Sequence, residues 1–146
     1  MEKSKKNLKE MSLLILILAG LALIRMIVSL CVNGIHIDAA QAGVSPELAK
    51  ATGIAIVVAS FIALLPQVYV GFKGLKVANG DATGKGHIVW AVILLVFAVT
   101  GLFDPISAIT KNVHLIDNII ELIARALDVL IYFLFIKFAR EVRLGA

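Results

Sequence analysis

The sequence predicts an all-α polytopic membrane protein, a bundle of four transmembrane helices formed by a single domain over residues 1–146. Two observations carry this. The chain is 60% hydrophobic and 16% charged, where a soluble domain holds about 45–50% apolar and about 25% charged residues. The excess is gathered into four long apolar blocks rather than spread evenly, and about 20 apolar residues suffice to cross a hydrocarbon core.

The first block runs over residues 11–32 and carries one charge, Arg25. The second, residues 52–72, and the third, residues 87–104, carry none of Asp, Glu, Lys or Arg before Asp104. The fourth, residues 115–137, is interrupted by charge in its first half. Strands are too short to account for blocks of this length, and the blocks do not alternate with period two. Helices satisfy their own backbone in lipid and are the remaining solution. A basic leader before an apolar stretch resembles a signal peptide, but the length of the first block and Arg25 within it predict an uncleaved helix.

The connections are short. Ser45-Pro46-Glu47 predicts a helix start with proline at the first position. Asn79-Gly80-Asp81 predicts a turn, and Asp104-Pro105 is expected to open the last connection. Ala55, Ala59 and Ala63 repeat at a spacing of four and suit helix packing.

Charge placement predicts orientation. Lys3, Lys5, Lys6 and Lys9 precede the first helix, Lys73, Lys76 and Lys85 separate the second from the third, and Lys137, Arg140 and Arg143 close the fourth. The other two loops hold Lys50 and Lys111 alongside Asp38, Glu47 and Asp104. Short loops rich in Lys and Arg stay in the cytoplasm, so both termini are expected on the cytoplasmic side of the cell membrane. Tyr69 and Trp90 fall near the same interface, where aromatic rings are favoured. The formal net charge of +4 follows this loop pattern and suits an anionic leaflet better than nucleic acid.

The fourth helix carries the most informative chemistry. Asp117, Glu121, Arg125 and Asp128 share one face at helical spacing. Glu121 and Arg125 form an i,i+4 pair, and Arg125 and Asp128 an i,i+3 pair. Charge in a bilayer is costly and turns toward protein or water. Arg25 lies about 10 Å from the outer end of its helix, at about 1.5 Å per residue, a depth that would let it reach Glu121 or Asp128. Two readings follow. The cluster is part of a solute or ion pathway, or it is a neutral clamp in which Arg25, Glu121, Arg125 and Asp128 fix helix register.

Pro66 removes a hydrogen bond from the second helix and introduces a kink, and Gln67 beside it both donates and accepts. The stretch Phe61-Ile62-Ala63-Leu64-Leu65-Pro66-Gln67-Val68-Tyr69-Val70-Gly71-Phe72-Lys73 resembles the PQ-loop motif of the SemiSWEET and SWEET sugar transporters and their lysosomal relatives. The resemblance implies a three-helix unit from Thr52 to about Arg140, a hinge role for Pro66 and Gln67 in alternating access, and two units per transporter. The extra helix in front and the charges at Glu121, Arg125 and Asp128 depart from that family's pattern.

No catalytic constellation is visible, so an enzyme is not expected, and no cofactor is called for. His36, His87 and His114 are isolated, without metal-ligand spacing, and are expected as interfacial or hydrogen-bonding groups. One cysteine, Cys31, excludes an intrachain disulfide and lacks an activating base. The functional expectation is a small transporter or channel-like protein for a small solute or ion, working as a homo-oligomer. The alternative is a non-transporting structural or regulatory component that binds a partner membrane protein.

Overall fold

The computed structural model describes residues 2–34 and 43–145, and His36 and Asp38 lie outside them. Five helices account for nearly all of the described residues: α1 (Glu2–Asn33), α2 (Pro46–Ala78), α3 (Gly86–Thr100), α4 (Phe103–Thr110) and α5 (Leu115–Leu144). Three stretches, Glu2–Val32, Pro46–Ala78 and Gly86–Thr110, are long and apolar enough to cross a membrane. α5 is long enough too, at 30 residues, but Glu121, Arg125 and Asp128 interrupt its apolar run.

Local chemistry sets the helix ends. Ser45 caps α2 from an extended conformation, its Oγ accepting the Leu48 amide at 3.2 Å, with Pro46 in the first turn. The Asn79 amide closes the other end onto the Leu75 carbonyl, and Gly80 turns the chain at φ +83°. The helix continues through Pro66 without interruption. α3 stops earlier than the apolar block does. It ends at Thr100 with Gly101 as its C-cap, and Asp104-Pro105 falls in the first turn of α4 rather than in a loop. Proline is tolerated there because first-turn amides have no intrahelical acceptor.

α1 packs against α2 and α5, and α3 packs against α2 and α5, so the four long elements close a ring in the order α1, α2, α3, α5, with α4 laid on α5. Neighbours run antiparallel. Ser4 near the start of α1 donates to Glu141 Oε2 near the end of α5 at 2.8 Å, and both termini therefore share one end of the bundle.

The packed core sits at that end. Leu8, Ser12 and Ile15 of α1 meet Val70, Gly71, Gly74 and Ala78 of α2, and Tyr132, Phe135, Ala139 and Val142 of α5 complete the cluster with His87 and Ala91 of α3. Glycine allows the approach. A Cβ on Gly74 would fall 2.6 Å from Phe135 Cε2 and onto the Ser12 hydroxyl, and one on Gly71 would fall 2.5 Å from Leu16 Cγ. Close backbone approach gains dispersion contacts even where apolar surroundings remove the hydrophobic drive. The stripe Ala55, Ala59 and Ala63 does not make the helix contact expected of it: all three are exposed, because α2 meets its neighbours most tightly through its later glycines. Toward the opposite end the helices open, and most large apolar side chains there face outward.

Candidate functional site

Where the packed half gives way to the open half, α2 and α5 each present polar side chains to the interior. Gln67 follows Pro66 on α2, and Asp128 and Tyr132 stand one turn apart on α5. All three line two cavities. A small one of about 160 Å³ lies toward α1, bounded by Ile15, Leu18, Ala22 and Ile131. A larger one of about 420 Å³ lies toward α3, bounded by Pro66, Trp90, Phe97 and their neighbours. Tyr132 and Gln67 stand together on the walls of both cavities, and Tyr132 itself is buried. This pair stands between the two cavities and roofs the core formed by Ile15, Val70 and Phe135.

The charged cluster is divided rather than joined. Arg125 Nε and Nη2 both donate to Glu121 Oε1, at 2.9 and 2.7 Å. The guanidinium also lies over Gly101, where a Cβ would come within 2.5 Å of Nη1. Gly101 thus ends α3 and makes room for Arg125. Among the described residues Asp128 has no ion-pair partner within 4.0 Å, although Arg125 is three residues away.

Arg25 does not join Glu121 or Asp128. It lines a separate cavity of about 710 Å³ between the halves of α1 and α2 remote from the chain termini, with Ser29, Gly53 and Ser60. Ala22, one turn earlier, borders this cavity and the small central one together, so α1 turns its next polar position toward α2 and away from α5. The neutral four-residue clamp therefore does not form among the described residues, which leave one closed pair and two charges apart.

Pro66, Gln67 and Asp128 are brought together, Glu121 and Arg125 are brought together, and Arg25 joins neither group. Tyr132 escaped the sequence reading although it follows Asp128 by four residues on the same face, the signal that could have found it. Trp90 is half-exposed and lines the larger cavity, a role its interfacial placement did not suggest. His87 is fully buried beneath the site, edge-on to Phe135 with ring centroids 6.0 Å apart. Neither of its nitrogens has a partner among the described residues. Among those residues no three of His, Cys, Asp and Glu stand close enough to hold a metal ion.

No protein family, curated protein or solved structure matches the chain.

Proposed function

We propose that this chain is a small multi-pass transporter of the cell membrane, with both termini cytoplasmic and its helices packed in a state closed inside and open outside. The observation that carries the reading is the meeting of Gln67 and Asp128, from two different helices, on the walls of two cavities directly above the packed core. Intramembrane ionisable groups face a bundle interior or water, and they mark solute and ion paths. Asp128 has such a place and no ion-pair partner among the described residues.

The packing supports a reading with four crossings. α5 lies antiparallel between α1 and α3, reaching from Glu141 beside Ser4 to Arg125 beside Gly101. If α1 and α3 span a bilayer, α5 runs through the same depth. Its paired charges cost less there than isolated ones. The lysines and arginines near the closed end suit the cytoplasmic leaflet. The likeness of the Pro66-Gln67 stretch to the PQ-loop motif agrees with a hinge on the cavity wall, and the open outer half agrees with self-association. A component that only braces a partner has no need of an unpaired carboxylate on a cavity wall.

The test separates pathway from brace. Asp128→Asn and Gln67→Leu are measured for thermal stability in detergent and for solute-driven swelling of proteoliposomes with choline chloride, glucose and glycine. A pathway predicts swelling with at least one solute, lost in both variants at unchanged stability. A brace predicts lost stability and no swelling in the wild type.

A further inference from the structure

The cavity between α2, α3 and α5 has a chemistry of its own. Its volume of about 420 Å³ falls in the range of small-molecule sites, about 300–1,000 Å³. Three aromatic side chains line it, Trp90, Phe97 and Tyr132, together with one carboxylate, Asp128, and one amide, Gln67. No lysine or arginine lines it. The nearest cation along α5, Arg125, is held by Glu121 through two hydrogen bonds of 2.9 and 2.7 Å. The cavity wall therefore holds one carboxylate with no cation lining the wall beside it, and it is rich in π-faces.

Each class of occupant meets this wall differently. An anion meets Asp128 and no compensating cation. A polyhydroxylated neutral solute needs many donors and acceptors and finds polar groups only at Gln67, Asp128 and Tyr132. A hard metal ion needs six or more oxygen ligands around it, which one carboxylate and one amide do not supply. A cation carrying apolar substituents is matched on every side. Its charge faces Asp128 and the aromatic rings attract it through their quadrupoles, while Ile93, Leu94 and Ala98 take its substituents.

We infer that this cavity is the binding site for a monovalent lipophilic organic cation, an alkyl- or aryl-substituted ammonium or phosphonium, with Asp128 as its counter-ion and Trp90, Phe97 and Tyr132 as its aromatic wall. The inference rests on reading this cavity as the solute site and names the class of solute.

Trp90 is the single tryptophan of the chain and stands in the wall, so it reports occupancy directly. The protein in lipid nanodiscs is titrated with tetraphenylphosphonium and, separately, with tetraphenylborate, which has the same shape and the opposite charge. Trp90 emission is read against empty nanodiscs mixed with free tryptophan. The cation is expected to give a saturable change that the anion does not. Asp128→Asn should weaken the cation about tenfold, Asp128→Glu should hold it within about threefold, and Phe97→Ala should weaken it several-fold. Equal binding of cation and anion by the wild-type protein overturns the inference without any variant. So does an Asp128→Asn protein that binds the cation as the wild type does. Saturable cation binding without flux keeps the inference and removes the transporter reading. Passage of a neutral solute with no cation binding does the reverse.

Discussion

Arg125 gives two of its guanidinium N–H donors to a single oxygen of Glu121, at 2.9 and 2.7 Å, and among the described residues forms no ion pair within 4.0 Å with Asp128, three residues further along α5.

Glu121→Gln should release that cation. Arg125 can then turn to Asp128, which is within i,i+3 reach, and tetraphenylphosphonium affinity should fall about tenfold. Adding Arg125→Gln should restore it. Trp90 fluorescence titration of both variants checks the cycle. An unchanged affinity in Glu121→Gln would mean that the pair does not govern the charge of Asp128.

The closed half depends on glycine at one junction. Gly74→Val would press on Ser12 and Phe135 and should cost about 1–3 kcal/mol, the usual scale of overpacking. Gly20→Ala meets nothing within 4 Å and should leave stability unchanged or raise it by up to about 1 kcal/mol through helix propensity. Thermal denaturation of the detergent-solubilised proteins compares them. Equal shifts would show that the α1–α2–α5 contact at Gly74 is not tight.

His87 should reduce stability as it stands. A buried group left without hydrogen bonds costs about 1–3 kcal/mol, and both of its nitrogens lack partners among the described residues. His87→Leu is expected to raise the melting temperature while keeping Phe135 covered. A lowered melting temperature would show that the imidazole is held by a bond worth more than its burial costs.

Cys31, the lone cysteine, is exposed near the end of α1 remote from the termini. With the termini cytoplasmic, a membrane-impermeant maleimide should label it on intact cells. Labelling that requires permeabilisation would invert the topology.

Particular elements show how much of this could be read from residues alone. The Ser45-Pro46 start of α2 was legible because capping is local chemistry, and the Glu121–Arg125 contact because i,i+4 neighbours meet on any helix. The end of α3 at Thr100 was not. The apolar block runs on past it, and Gly101 yields its cap position for reasons that include space for Arg125. Periodicity placed Asp128 on a face with Arg125 but said nothing of which helix that face meets. The Arg25 bridge and the alanine contact therefore went astray, while the Gln67–Tyr132 neighbourhood went unseen. His87 was expected as an interfacial or hydrogen-bonding group, yet as the second residue of α3 it is buried edge-on to Phe135, a contact that only the packing of α3 on α5 creates.

The most direct test of the central claim is tetraphenylphosphonium flux into proteoliposomes, measured with a cation-selective electrode for the wild type and for Asp128→Asn and Asp128→Glu. Background partitioning is subtracted with protein-free liposomes. Protein-dependent, saturable uptake is expected in the wild type, with uptake within about threefold of it in Asp128→Glu and about a tenfold or greater loss in Asp128→Asn at unchanged thermal stability. Uptake equal to protein-free liposomes in the wild type, or equal rates in wild type and Asp128→Asn, would contradict it.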